Sequence, residues 1–346
     1  MKNVLIIATH GLGDLVMLLP VLKSYDFTGL QVTMLLKGKA EQDLLLSTAL
    51  SFKVDIFLLS KYDSIRKKIN LIRCLHYRTF SYIYPQAGVS RAKYTLLFVL
   101  VKKARYASYY TFLRYLLFHC TDRSKHKALV NHDIFGLTNL KYNSRGRSIY
   151  PDLIFSNNED VSFIGQPFLG CKKILISPGS GNLEAHKRWS RDKYVSLIDR
   201  LLGIYNDVAI TVVGSSSELE LISYIESRCA SNIRLTFQPG TLSISQLLLL
   251  ITKADLVLSN CNGVSHLSAL CQTHVVGLYG PTDPEFTGPF GVSFDSVSLN
   301  LDCSPCYNRN YMQGCGNPVC MNDIPLHKVA NAINNHLDKV KVKEGN

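Results

Sequence analysis

Residues 254–289, ADLVLSNCNGVSHLSALCQTHVVGLYGPTDPEFTGP, read as strand, polar turn, helix, strand and a second turn rich in Gly and Pro. The apolar run Leu256-Val257-Leu258 stops at Ser259-Asn260-Cys261-Asn262-Gly263, where turn formers cluster. Helical spacing follows over 264–271, and β-branched Val275-Val276 lead into Gly280-Pro281-Thr282-Asp283-Pro284. Continuous apolar strands separated by helices belong to parallel sheets covered on both faces. The turn before the helix aims backbone N–H groups and a positive dipole end at one place, a ready anion site. Within it stands Cys261.

Outward from this unit the alternation continues. Strand patterns at 174–176, 208–213 and 233–237 alternate with helical patterns at 191–202, 217–228 and 245–253. The chain opens on the same plan: Val4-Leu5-Ile6-Ile7, the turn Gly11-Leu12-Gly13-Asp14, then a helix to about Tyr25. The expected class is therefore α/β, with two Rossmann-like doubly wound domains facing a cleft outside the carboxyl ends of their strands. A length of 346 residues also favours two cores over one. The weakly periodic stretch 150–170 marks the boundary, giving an N-terminal domain at 1–155 and a second at 156–323. Residues 324–346, with Val329, Ile333, Leu337 and Val340 at helical spacing, form a closing amphipathic helix.

Apolar residues make up 47% of the chain and charged ones 18%, a globular composition with well-buried strands. The formal net charge of +12 is concentrated: fifteen Lys or Arg face two acids between Lys61 and Lys127, interleaved with aromatics such as Tyr94, Tyr106, Tyr110 and Phe118. That block reads either as a solvated helical face or as a surface for an anionic partner. No RNA-binding aromatic signature or DNA-reading helix pattern accompanies it, so a phosphorylated glycolipid at a membrane fits better than nucleic acid. The N-terminal apolar run is broken by His10, Gly11, Gly13 and Asp14 and is neither a signal peptide nor a span. The expectation is a cytoplasmic protein, peripheral to a membrane, whose ten cysteines are mostly reduced.

Gly11-Leu12-Gly13-Asp14 lacks the third small residue of a dinucleotide fingerprint, since Val16 stands there, and Asp14 would repel a pyrophosphate. Asp14 has two readings: a helix cap, or a general base at the mouth of a cleft, with Gly11 and Gly13 allowing close approach of substrate. His10 is a second candidate base or a support for the first. In the second half, Ser180 lies in the Gly179–Gly181 turn, and Lys187 follows as a mobile positive charge within reach of a diphosphate. Trp189 reads as a core plug. Ser215 and Glu218 have capping-box spacing, while the strand-end position also suits a ribose contact from Glu218. Asn262, Gly263 and His266 line the anion turn, His266 either structural or touching phosphate. Thr282 and Asp283 lie on the next loop. Cys303, Cys306, Cys315 and Cys320 fall within eighteen residues, a spacing that permits structural zinc, reduced thiols or a labile disulfide.

Taken in order, these motifs resemble glycosyltransferase family 9, the bacterial heptosyltransferases of lipopolysaccharide core assembly. Gly11-Leu12-Gly13-Asp14 with Pro20 is similar to the family's opening motif, and Pro178-Gly179-Ser180 with Lys187-Arg188-Trp189 to its phosphate loop. Asn262-Gly263-x2-His266-Leu267-x-Ala269 and Gly280-Pro281-Thr282-Asp283-Pro284 resemble its donor-binding signature. Cys303, Cys306 and Cys320-Met321 resemble a tail found in many members.

The resemblance implies a GT-B architecture and an inverting, metal-independent transfer needing no cofactor. It implies a nucleotide-sugar donor such as ADP-heptose and an anionic lipid-linked saccharide acceptor at the inner leaflet, with no nucleic acid as partner. Asp14 becomes the base; Ser180, Lys187 and the amides near Gly263 hold the diphosphate. Cys261 departs from the Asp that many members carry and that binds the donor sugar. Either the donor differs from ADP-heptose, or Asn260 or Asp283 makes that contact. A nucleotide-sugar epimerase of the same fold and a non-catalytic anion-binding protein are the rival readings.

Overall fold

The computed structural model describes residues 2–60, 62–87, 125–136, 148–155, 170–309 and 315–340. Most of the basic, aromatic-rich block, including Lys61, Tyr94, Tyr106, Tyr110 and Phe118, lies outside the described residues, as do 156–169 of the expected boundary and the basic end after Val340. The chain divides into two compact units, Met1–Ile154 and Phe155–Asn346.

The first unit holds β1 (Lys2–Ala8), α1 (Leu12–Ser24), β2 (Leu30–Leu36), α2 (Lys39–Leu46), β3 (Val54–Leu58), α3 (Ile65–Tyr77), β4 (Tyr82–Pro85) and α4 (Lys127–Ile134). Its four parallel strands are ordered β3-β2-β1-β4. Residues 4–8 of β1 are all buried, as expected for a strand with helices on both faces. Chain direction across the sheet reverses between β1 and β4, so the loops after these two strands flank a crevice. Asn131 of α4 closes that end: its Oδ1 accepts the Ala87 N–H at 2.7 Å and its Nδ2 donates to the Met17 carbonyl at 3.2 Å.

The second unit holds β5 (Lys172–Ser177), α5 (Arg191–Ile204), β6 (Val208–Gly214), α6 (Leu219–Arg228), β7 (Leu235–Pro239), α7 (Ile244–Lys253), β8 (Leu256–Asn260), α8 (Gly263–Leu270), β9 (Val275–Leu278), α9 (Pro284–Thr287), β10 (Phe294–Val297), α10 (Val319–Asn322) and α11 (Leu326–Leu337). Its six parallel strands run β10-β9-β8-β5-β6-β7, the doubly wound order, and direction reverses between β5 and β8. Trp189, buried with its Nε1 donating to the Ile324 carbonyl at 3.0 Å, plugs the core as the sequence suggested. Helix α11 buries Val329, Ile333 and Leu337 against the same core.

One strand starts later than its apolar pattern suggests. Ile233 is exposed and β7 begins at Leu235. Asn232 accounts for the shift: its side chain accepts the Arg234 N–H at 2.9 Å and its carbonyl the Leu235 N–H at 3.1 Å, an Asx turn that takes up the amides. Arg234 then donates to the Leu202, Tyr205 and Val208 carbonyls, tying the end of α5 to β6.

Candidate functional site

The crevice in the second unit is built by the loops after β5 and β8, and Asn260 is their common anchor. It is fully buried; its Nδ2 donates to the Pro178 and Gly179 carbonyls at 2.7 and 3.2 Å. Its Oδ1 accepts from the Tyr194 hydroxyl at 3.1 Å and the Trp189 N–H at 3.4 Å. With both polar atoms of its side chain engaged inside the fold, Asn260 ties the loops after β5 and β8 together. Asn260→Ala leaves three buried groups without this partner, the Pro178 carbonyl, the Tyr194 hydroxyl and the Trp189 N–H, and should destabilise the unit by about 3 kcal/mol or more. At about 2–4 °C per kcal/mol for a domain of this size, the thermal midpoint should fall by roughly 6–12 °C; an unchanged midpoint contradicts the anchoring role.

Asn262 makes the second stitch. Its Nδ2 donates to the Gly179 carbonyl at 2.9 Å and to Ser177 Oγ at 3.1 Å. Its Oδ1 caps α8, accepting from the Val264 and Ser265 amides at 2.9 and 3.3 Å. Those two N–H groups are therefore already bonded, which narrows the anion site expected at this turn to Gly263 and the dipole of the helix. Cys261 is buried beside it, its Sγ 3.7 Å from Thr287 Oγ1. His266 is buried in the first turn of α8.

On the β5 side, Ser180 is buried and its hydroxyl is engaged: Oγ donates to the Glu184 carbonyl at 2.8 Å and accepts from Arg188 Nε at 3.1 Å. Arg188 also donates to the Ser180 carbonyl at 3.0 Å, so the loop is held as a rigid hook. Lys187 is buried, with its Nζ 2.5 Å from Glu184 Oε1 and 4.9 Å from the Tyr307 ring centroid. Tyr307 was not expected here, because the sequence places it inside the cysteine-rich tail. Its N–H reaches the Pro281 carbonyl at 2.9 Å and its hydroxyl lies 2.8 Å from His186 Nε2. Burial, followed by the neighbouring Glu184 charge, pushes the Tyr307 phenol well up. Burial, followed by Lys187, pulls the His186 imidazole down. Both shifts favour the neutral form of the group.

Glu218, at the end of β6, accepts from both the N–H and the hydroxyl of Ser215 at 2.8 Å through Oε2, so the capping spacing is realised. Its Oε1 lies 1.9 Å from the position that a Cβ on residue 179 would take, so a larger residue there would displace the carboxylate. The carboxylate is thereby brought against the β5 loop. Thr282 Oγ1 is buried without a hydrogen-bond partner, and Asp283 caps α9 by accepting the Glu285 N–H at 2.9 Å.

In the first unit, Asp14 is not the cap of α1; Gly11 is, and Asp14 occupies the first turn. Lys127 of α4 donates to its Oδ1 at 3.1 Å. His10, Gly11 and Gly13 stand at the same carboxyl end of β1. Cys303, Cys306, Cys315 and Cys320 line one cavity of about 150 Å³ with His186. Burial, together with the other thiols, pushes Cys320 up to about 11. Among the described residues every cysteine is a free thiol, and no group of three or more side chains is disposed to hold a metal ion.

The model of glycosyltransferase family 9 (heptosyltransferase) matches residues 124–315. The lipopolysaccharide core heptosyltransferase OpsX of Haemophilus influenzae is 32% identical over 151 residues, 42% of this chain and 39% of that protein. The chain thus matches well under two thirds of that relative's length. Among solved structures, the glycosyl transferase family 9 protein of Veillonella parvula aligns over 98% of both chains with a TM-score of 0.70 at 13% identity. The Escherichia coli ADP-heptose LPS heptosyltransferase II aligns over 98% of this chain and 99% of its own with a TM-score of 0.67 at 17% identity. At such identities the likeness is one of fold.

Proposed function

As this chain belongs to glycosyltransferase family 9, whose two-unit GT-B fold it shares, we propose that it transfers a sugar, a heptose or a relative of it, from a nucleotide-sugar donor to a lipid-linked saccharide in lipopolysaccharide or surface-polysaccharide synthesis. The observation that carries the reading is the buried Lys187 at the reversal point of the second sheet, on a loop stitched to the head of α8. A parallel sheet presents its ligand crevice there, and a lysine there supplies point charge for a diphosphate.

In this mechanism the acceptor hydroxyl oxygen bonds to the anomeric carbon as the bond from that carbon to the diphosphate breaks on the opposite face, inverting the centre. Asp14 takes the hydroxyl proton, and the electron pair of the broken bond leaves with the diphosphate. Lys187, the Gly263 N–H and the α8 dipole stabilise that charge. The Thr282 hydroxyl, buried and unbonded, suits a phosphate oxygen, and Glu218 Oε1 suits a ribose hydroxyl. Protein cations and dipoles supply the charge stabilisation, so the transfer requires neither metal nor cofactor. The acceptor is an anionic lipid-linked saccharide, met at the cytoplasmic face of the inner membrane. Among the described residues no helix is long and apolar enough to cross a membrane.

A donor screen in the presence of EDTA tests this. ADP-heptose should be compared with UDP-, GDP- and dTDP-sugars by thermal shift and by turnover on a lipid-linked acceptor. A ligand present at about 100 times its dissociation constant contributes roughly 2.7 kcal/mol to stability, a readily measured shift. Isomerisation of free donor would identify an epimerase instead, and the absence of any shift would remove the nucleotide-sugar reading altogether.

A further inference from the structure

Helix α3 is unlike every other long helix of the described chain in how little of it is covered. Of its thirteen residues only Leu75 is buried. Ile65 is 77% exposed and Ile69 45% exposed, and with half-buried Ile72 they fall at i, i+4 and i+7, a single stripe along the outer face. Arg66 and Arg73, seven residues apart and both exposed, run together along the flank of that stripe. Between Tyr62 and Tyr77 the chain carries four cations, Arg66, Lys67, Lys68 and Arg73, and one acid, Asp63, which is paired with Lys67 at 2.6 Å. The stripe is bracketed by Tyr62 and Tyr77, 84% and 81% exposed.

An isoleucine stripe left in water is costly, and strong flanking charge without compensating acids disfavours a second copy of this surface as its cover. Apolar side chains beneath a cationic flank, with tyrosines at the ends, match an anionic bilayer: the isoleucines enter the headgroup boundary, the arginines meet lipid phosphates and the phenols remain at the interface. We propose that α3 is an in-plane docking helix by which this protein sits on an anionic phospholipid surface. The inference goes beyond the transfer reaction, because it concerns where the protein rests and is read without turnover.

Co-sedimentation of the full chain with vesicles tests it. The protein should bind equimolar phosphatidylcholine–phosphatidylglycerol vesicles, bind pure phosphatidylcholine far more weakly, and be released by salt. Arg66→Ala with Arg73→Ala should weaken binding about five-fold per cation. Ile65→Ser with Ile69→Ser should weaken it at least about ten-fold. Both double variants replace exposed side chains, so the thermal midpoint should stay at the parental value, as should turnover of the isoleucine variant on a detergent-solubilised acceptor. The proposal is overturned if the parent ignores anionic vesicles, if it binds neutral ones equally, or if the isoleucine variant binds like the parent. It is also overturned if that variant instead lowers the mass of the free protein by sedimentation, which would make the stripe a contact between copies.

Discussion

Asp14→Asn should lower transfer by about 10²–10⁴ while leaving nucleotide-sugar binding at its parental strength. The amide preserves the size and place of the side chain but no longer accepts a proton, so only the step in which the acceptor hydroxyl ionises is affected. Structural damage is a weak competing explanation. The ion pair with Lys127 that the change removes has side chains 24% and 28% exposed, and partly exposed pairs of this kind contribute at most about 1 kcal/mol. Asp14 belongs to the first unit and the residues proposed to hold the diphosphate to the second, so donor affinity, read by calorimetry, gives a clean control. Near-normal transfer by the variant would show that another group takes the proton.

Lys187→Ala should reduce turnover by about 10²–10³, the usual effect of deleting one preorganised group that meets charge developing in the transition state. The loss should appear mainly in kcat, because the diphosphate gains negative charge only as the glycosidic bond breaks. A rise in KM with kcat unchanged would mean that Lys187 holds the donor without assisting departure. The Glu184 contact adds a second signature. The ammonium rests on the Glu184 carboxylate, and in the proposed reaction a diphosphate would compete with that carboxylate for it. Glu184→Gln in the same assay should therefore tighten donor binding rather than weaken it.

Much of the second unit is legible in its sequence because doubly covered parallel strands must be apolar throughout and the turns between them must not be. Val257 and Ile176 lie in such runs, and both are buried. In the first unit only β1 and α1 announce themselves by a strand, a glycine turn and a helix in succession, although Leu30–Leu36 carries a similar apolar pattern with Thr33 buried in its middle. The chemistry of the site was less visible. Residue type places Ser180 and Asn262 at an anion loop, but their donors and acceptors prove to be engaged with the loop itself, a matter of side-chain direction that spacing does not encode. Tyr307 enters through contacts with Pro281, 26 residues away in sequence, and with His186, 121 residues away, and no periodicity announces contacts of that range.

The pairing of β5 with β8 has a consequence for the order in which the chain can assemble. Ile174 meets Leu256, and Asn260 satisfies the carbonyls of Pro178 and Gly179, so the middle of the second sheet joins segments about eighty residues apart. As the chain leaves the ribosome, β5, β6 and β7 can associate early, but their open edge at β5 stays unpaired until Asn260 emerges. The loop after β5 is consequently among the last parts of the unit to acquire its shape. Non-local pairing of this kind is slow and exposes a strand edge while it waits. Substitutions at Asn260 should thus affect the yield of folded protein more than the activity of the molecules that complete folding.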